Sequence, residues 1–351
     1  MKILIITDAW LPQTNGVVRT LLATQKELVA LGHQVEVFHP RDNRWLTVSM
    51  PTYREIKLDF LSYRRMKKFF KTHPADAVHI ATEGPLGLCA VLICLAQRKP
   101  FSTAYHTRFP EYVCARVPHF LPSAVARGIE NLTYAALRRF HNVGIRTLVP
   151  TQTMFDLLKV HGFTKVALWS RGVDTDAFYP GEKDYSAYCE LKRPILLYVG
   201  RISVEKNLKD FLALSTTGTK VLIGSGPDLK TLSKAYPDSV FLGRKEGNDL
   251  ANAFAAADVF VFPSKTDTFG LVLLEACAAG LRVAAYNVSG PADVFNEPEA
   301  AHFAALDADL QRAVDRALIL SDRPERARAF AEKHSWRRVT EQFVNGLKNQ
   351  T

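Results

Sequence analysis

The chain has 351 residues, 47% of them apolar and 23% charged, proportions that exclude a fibrous or largely disordered protein. At roughly 100–200 residues per domain, this length implies about two domains. The net charge of +10 is held unevenly: residues 1–170 carry 22 basic against 11 acidic residues, and residues 171–351 carry 23 against 24. A basic half therefore precedes a neutral one.

Lys2 to Thr7 reads as a buried strand, its apolar run being too short for a secretory signal. Asp8 to Gly16 follows as a loop. Val17 to Leu31 reads as a helix with Val18, Leu21, Leu22, Leu28 and Val29 on one face, closed by Gly32, and Gln34 to His39 is the next strand. This is one βαβ unit, which implies a parallel sheet with right-handed crossovers. The same grammar recurs at Ala77 to Ile80, before the loop Glu83-Gly84-Pro85, and at Ser102 to Tyr105, before His106. The longest apolar stretch, Leu86 to Ala96, has 11 residues. A membrane-spanning helix needs about 20, so any membrane contact is expected to be peripheral.

A second series begins at Pro194, with strand Ile195 to Val199, a loop at Gly200 and Arg201, and a helix through Leu208 to Leu214. Strand Lys220 to Ile223 with the loop Gly224-Ser225-Gly226 follows, then strand Val259 to Phe262 before a helix ending at Gly280. Trp169 to Glu190 is rich in turn residues and reads as an interdomain linker. The expected organisation is a first domain at 1–168, joined by a C-terminal helix at 335–351, and a second at 191–334. The expected fold class is α/β: two doubly wound Rossmann-like domains facing a central cleft, with ligands at the carboxyl ends of the strands.

The five cysteines (Cys89, Cys94, Cys114, Cys189 and Cys277) are scattered, with neither a CxxC pair nor clustered histidines. Reduced thiols in a cytosolic compartment are expected, and no structural metal. Two Asp-x-Asp matches, Asp174/Asp176 and Asp307/Asp309, fall between elements and read as turn caps or chance.

Two loops of the neutral half carry chemistry. Arg201 directly follows a strand and Lys206 stands five residues on, just before a helix. Two cations and free backbone amides at one strand end suit a diphosphate, although a lone Arg or Lys there reads better as a solvated surface residue. In Phe262 to Gly280, FPSKTDTFGLVLLEACAAG, a helix expected to start near Thr268 puts Asp267 at its entrance and Glu275 two turns along. The amides of Phe269, Gly270 and Leu271 would face an anion. Taken singly, Asp267 reads as an N-cap and Glu275 as an exposed helix residue.

Together, TDAWLPQTNGVVRTL, VHIATEGPLG, TAYHTRFPEY, VPTQTMFDLL with WSRGVDTDAFYP, YVGRISVEKNL, the FPSKTDTFGLVLLEACAAG block and a terminal SWRRVTEQF resemble the retaining glycosyltransferases of family 4, which have the GT-B fold. The resemblance covers nearly the whole chain. It implies that Arg201 and Lys206 hold the donor diphosphate, that Glu275 binds the ribose, and that Asp267 with the backbone of Phe269 to Leu271 holds the transferred sugar. It also implies that Gly16 lets the backbone approach the diphosphate and that His106 lines the reacting site from the first domain. The family usually has Glu where this chain has Asp267, one methylene shorter. The implied reaction is metal-independent and needs no cofactor, the nucleotide sugar being a substrate, with a UDP-sugar favoured over GDP-mannose.

Within the family, the opening segment and TAYHTRFPEY resemble the branch of sulfoquinovosyl- and glucuronosyl-diacylglycerol synthases and related mannosyltransferases. This implies a lipid acceptor and a cytoplasmic enzyme held peripherally on the inner face of the cell membrane. Two basic, aromatic stretches of the first half suit an anionic membrane surface. One holds Arg64, Arg65, Lys67 and Lys68 beside Phe69 and Phe70, and reads equally as a solvated helix with its rings packed inward. The other holds Arg108, Phe109, Tyr112, Arg116 and Phe120 among prolines that fit no regular amphipathic helix.

Nucleic-acid binding is the rival from another class, since a half at +11 is an electrostatic footprint for a polyanion, yet it leaves the Arg201-to-Glu275 constellation unused, and no nucleic-acid partner is expected. A nicotinamide enzyme would want GxGxxG where the first loop has a single glycine, Gly16. A nucleotide-sugar epimerase or a transferase to a soluble or polysaccharide acceptor stays open on the same fold.

Overall fold

The fold is described from a computed structural model for residues 1–13, 15–41, 48–49, 57–59, 61–106, 108, 110, 123–181, 185–321 and 323–347. The chain divides into two units, Met1–Ser170 with Val339–Thr351, and Arg171–Arg338.

The first unit is built around central strands buried on both faces, as sandwiching between helix layers demands, with one edge strand, Gln34–Phe38, alternating exposed and half-buried up to its buried Phe38. Its elements are β1 (Lys2–Ile6), α1 (Gly16–Ala30), β2 (Gln34–Phe38), the short antiparallel pair β3 (Val48–Ser49) and β4 (Lys57–Leu58), α2 (Tyr63–Thr72), β5 (Ala77–Ile80), α3 (Pro85–Ala96), β6 (Ser102–Ala104), α4 (Ser123–Asn142), β7 (Arg146–Val149), α5 (Gln152–Val160) and β8 (Val166–Leu168). Six parallel strands run in the order β2-β1-β5-β6-β7-β8. Ile3 to Ile6 are almost fully buried. α1 begins at Gly16, because the Asn15 side chain accepts from Val18 N at 3.0 Å and caps it there. Gly16 is thus the exposed first residue of a helix, where the sequence reading had it closing a loop.

The second unit repeats the plan with β9 (Ile195–Val199), α6 (Leu208–Leu212), β10 (Thr219–Ile223), α7 (Leu229–Ala235), β11 (Val240–Phe241), α8 (Gly247–Ala256), β12 (Val259–Phe262), α9 (Leu271–Ala278), β13 (Arg282–Tyr286), α10 (Ser289–Val294), β14 (Ala304–Asp307), α11 (Leu310–Ile319) and α12 (Pro324–Glu332). Its six parallel strands run β11-β10-β9-β12-β13-β14. In each sheet the order reverses once, between β1 and β5 and between β9 and β12. Loops leaving such a pair diverge to opposite faces and open a crevice at the strands' carboxyl ends.

The segment expected as a linker is packed. Trp169 is fully buried in the first unit, with its ring 4.8 Å from that of Phe343, while Val173, Phe178 and Tyr188 join the core of the second. Tyr188 Oη donates to Ala253 O at 3.1 Å. Irregularly spaced anchors in a turn-rich stretch give no periodic signal, which is why composition alone suggested a tether. The last helix, α13 (Trp336–Leu347), buries Val339, Phe343 and Leu347; the Phe343 ring also lies 4.8 Å from that of His79, within the first unit.

Candidate functional site

The second unit's crevice is assembled from the loops after β9 and β12, which are neighbours because Val259 and Phe260 pair with Leu196 and Leu197. At the end of β9, Gly200 has φ 158°, and a Cβ there would lie 2.6 Å from Tyr198 Oη, the hydroxyl that donates to Arg201 O at 2.8 Å. The next loop is pressed backbone to backbone on this turn. A Cβ on Gly224 would sit 1.8 Å from Gly200 O, and one on Gly226 2.1 Å from Ile202 O. Ile202 N donates to Ser225 O at 2.9 Å and closes the contact. Glycine is required at both positions because nothing larger fits. Arg201, half-buried, thus rises from a fixed platform.

Lys206 ends a short 3₁₀ turn, and Asn207 follows with φ 54°, a left-handed conformation that asparagine tolerates. Asn207 Nδ2 donates to Asp210 Oδ2 at 2.6 Å and to Pro263 O at 3.3 Å, tying the Lys206 loop to the exit of β12. Asp210 also accepts from Tyr286 Oη and, at 3.3 Å, from Lys265 Nζ. The Tyr286 hydrogen bond, then those of Asn207 and Lys265, hold its carboxyl below the usual carboxylate range.

The structure brings two of the sequence-chosen residues into direct contact. Lys206 Nζ lies 2.6 Å from Asp267 Oδ1 and 2.8 Å from Oδ2, with the side chains 21% and 25% exposed. Gly290, at the start of α10, backs this loop, a Cβ there falling 2.5 Å from Asp267 O. α9 starts at Leu271, three residues later than the sequence suggested. Gly270 takes φ 85° before it, where a Cβ would meet Phe262 Cζ at 2.9 Å, and the chain turns into the helix only after that. Phe269 and Gly270 therefore precede the helix. Its N-cap residue is this glycine, which has no side chain to offer a cap. Glu275 stands just over one turn into α9 and is 7% exposed, so it is a buried carboxylate and not an exposed helix residue. Asn207, Asp210, Tyr286 and Gly290 escaped the sequence reading; an asparagine in the left-handed region after a lysine has no one-dimensional signature.

The matching crevice of the first unit is filled by the protein's own carboxylate. Asp8, just after β1, accepts from Leu86 N at 3.0 Å and Gly87 N at 3.4 Å at the start of α3, and from Thr82 Oγ1 at 2.8 Å. Burial pushes its pKa up to about 6 against the pull of these donors. His106, at the end of β6, is 9% exposed with its ring 5.8 Å from Trp169, in a different unit from Arg201, Lys206 and Asp267.

On α2, Arg64, Lys67 and Lys68 are exposed, whereas Phe70 is buried in the core and Phe69 is partly buried against it, so those rings are not available to lipid. Arg65 is committed internally. It lies 3.6 Å from the buried Asp59, 2.8 Å from His39 O and 4.0 Å over the Phe38 ring. Arg108 is half-buried; Phe109, Tyr112, Arg116 and Phe120 lie outside the described residues. Both Asp-x-Asp matches begin turns: Asp174 Oδ1 accepts from Asp176 N and Ala177 N, and Asp307 Oδ1 from Asp309 N. Among the described residues no three His, Cys, Asp or Glu side chains converge to hold a metal ion.

Comparison with known proteins places this geometry. The family described as Glycosyltransferase Family 4 matches residues 14–177, and Glycosyl transferases group 1 matches 189–334. A GDP-mannose-dependent alpha-mannosyltransferase of Corynebacterium glutamicum is 29% identical over 85% of this chain and 75% of its own. Sulfoquinovosyl transferase SQD2 of Arabidopsis thaliana is 30% identical over 84% of this chain and 61% of its own. An alpha-monoglucosyldiacylglycerol synthase of Streptococcus pneumoniae is 27% identical over 82% and 71%. Among solved structures, a sucrose-phosphate synthase from Thermosynechococcus elongatus superposes with a TM-score of 0.74 at 19% identity, covering 98% of this chain and 97% of that one. The two parallel-sheet units are thus of the Rossmann-like GT-B class, and with both halves matched, the chain belongs to the family 4 glycosyltransferases.

Proposed function

We propose that this glycosyltransferase moves a hexose from a nucleotide-diphosphate sugar, a UDP-sugar in the first instance, to a membrane-lipid acceptor such as diacylglycerol, with retention of configuration. The observation that carries the reading is the meeting of Lys206 and Asp267 at the β9/β12 crevice, on the loop that Arg201 opens. Breaking the bond between sugar and diphosphate grows negative charge on the departing phosphate. Arg201, Lys206 and the backbone amides at the start of α9 would stabilise that charge, the task a divalent cation performs in other transferases. Asp267 would accept from a sugar hydroxyl, and the buried Glu275 from the ribose hydroxyls. The acceptor oxygen forms its bond to the anomeric carbon on the face the diphosphate leaves, and a phosphate oxygen takes the acceptor's proton. His106 and the basic first unit are assigned to the acceptor.

The lipid acceptor is supported by the diacylglycerol-glycosylating relative, and peripheral attachment at the cytoplasmic face accords with the described helices, none of which is long and apolar enough to cross a membrane. A second reading, GDP-mannose as donor, is favoured by the 29%-identical mannosyltransferase. Incubation with diacylglycerol liposomes and a panel of nucleotide sugars, with the products identified by mass spectrometry, tests both. A glycolipid from a UDP-sugar is expected. A mannolipid formed from GDP-mannose alone would establish the second reading, and better transfer to soluble sugars would overturn the lipid acceptor.

A further inference from the structure

α3 has the sequence PLGLCAVLICLA, apolar all round, and a helix of that kind is ordinarily buried on every side. Here only one side is covered. Leu86, Ala90, Ile93 and Cys94 pack in the core, while Leu88, Leu92 and Leu95 stand 54%, 52% and 49% exposed. The spacing of four and then three residues stacks these leucines in one stripe along the outer face.

α2 packs beside α3. Its Met66 and Phe70 share a core with Leu86 and Ala90 of α3 and with Leu4, Ile6, Val78 and Ile80 of the sheet. Both helices therefore cover the same sheet face, and their outer faces point the same way. The outer face of α2 exposes Arg64, Lys67, Lys68 and Lys71, and neither helix contains an acidic residue. Leu61 and Tyr63, at the start of α2, are exposed too, as is Arg98 just beyond α3.

We propose that the outer faces of α2 and α3 form a docking surface for an anionic lipid bilayer, the leucine stripe entering the headgroup–acyl boundary and the cations of α2 meeting lipid phosphates. Two observations favour a bilayer over a protein partner. The apolar element is a ridge on a helix, which needs no complementary groove in a fluid surface. The four cations crowd one ten-residue helix without an acid, so an anionic plane is the surface that offsets their mutual repulsion. Long basic side chains reach headgroups while their stems lie along the apolar layer. The inference rests on the lipid-acceptor reading for its biological setting and relocates the contact from the buried Phe70 to the leucines of α3.

The test is sedimentation of the full chain with phosphatidylglycerol–phosphatidylcholine vesicles, without donor or acceptor. Wild type should bind, and binding should weaken as salt rises. The triple variant Leu88→Ser/Leu92→Ser/Leu95→Ser should lose at least about tenfold in partition, since half of each side chain is already in water and has that much left to bury. Arg64→Gln/Lys67→Gln/Lys68→Gln/Lys71→Gln should lose about fivefold per cation on anionic vesicles and little on pure phosphatidylcholine. Circular dichroism confirms that each variant is folded. Wild-type binding by either folded variant, or no binding by wild type, overturns the proposal; so does a wild-type dimer that the leucine variant turns into a monomer with unchanged vesicle binding. Transfer by wild type to detergent-dispersed diacylglycerol reads the lipid-acceptor assignment separately.

Discussion

Lys206 gives the sharpest test of the donor site, because its two predicted effects differ in size. Its ammonium touches both oxygens of Asp267, at 2.6 and 2.8 Å, with about a fifth of its side chain in water. Screening at that exposure leaves the pair worth about 1 kcal/mol to folding. For a domain of this size Lys206→Ala should therefore lower Tm by only about 2–4 °C. Loss of a fixed cation at the departing phosphate should cost on the order of 10²–10³ in kcat, about 3–4 kcal/mol of barrier. Initial rates at saturating donor and acceptor, with thermal scans of the same preparations, measure both. If Lys206 and Asp267 serve one bound donor, the double variant Lys206→Ala/Asp267→Asn should lose less than the two single losses combined. A kcat within about threefold of wild type would refute the reasoning, as would strictly additive losses.

Four further outcomes follow from particular contacts. The Asp8 pKa, about 6, stands above its unfolded value, so the folded state holds the proton more tightly and the associated stability is full at low pH and lost as pH rises through 6. The loss is on the order of 3 kcal/mol; the Tm of Asp8→Asn relative to wild type should therefore rise between about pH 4 and pH 7, and a flat difference would count against it. Gly224→Ala must push a Cβ into Gly200 O, 1.8 Å away, and should cost about 3 kcal/mol or more; Gly243→Ala, with φ 68° and open space, should cost only the left-handed strain of about 1–2 kcal/mol, as urea unfolding will show. Arg65→Ala strips a cation from buried Asp59 and from the Phe38 ring and should destabilise by about 1–2 kcal/mol, against at most about 0.5 for exposed Lys67→Ala. Transfer should continue in excess chelator, since Arg201 and Lys206 supply the positive charge; a rate abolished by chelation and restored by a divalent ion would sink that assignment.

The strands were legible because each is a short apolar run between turn residues: Ala77–Ile80, Ile195–Val199 and Val259–Phe262 fall where periodicity puts them. Helix starts were less so, for local reasons. Asn15 pulls α1 one residue earlier with its side chain, and Gly270 delays α9 by turning left-handed before it. Arg201 and Lys206 were singled out from sequence because strand ends are where a doubly wound fold puts ligands. Their relation could not be. Lys206 and Asp267 are 61 residues apart, and only the adjacency of β9 and β12 brings them together. The aromatic residues of α2 left two readings open because a basic helix with two phenylalanines has the same composition whether the rings face lipid or core; the pairing of Phe70 with Met66, four residues apart, was the inward signal.

The two sheets share one topology, so strand order alone does not say which of them binds an anion. The chemistry at their reversal points does. In the first unit the helix after β5 begins with amides that Asp8 already satisfies, and a phosphate there would have to displace a buried carboxylate bonded to Leu86 N, Gly87 N and Thr82. In the second, the helix after β12 has a glycine at its N-cap, and the loop before it carries Asp267, bonded to Lys206, whose neighbour Asn207 is anchored on Asp210 and Pro263 O. A donor phosphate at the first point would meet a carboxylate alone, whereas at the second it would meet a lysine already paired with Asp267. The charge of the halves runs the other way, +11 in the first and −1 in the second, so on the proposed function net charge would mark the half that meets a large anionic surface, while the diphosphate would be held by two local cations in the neutral half.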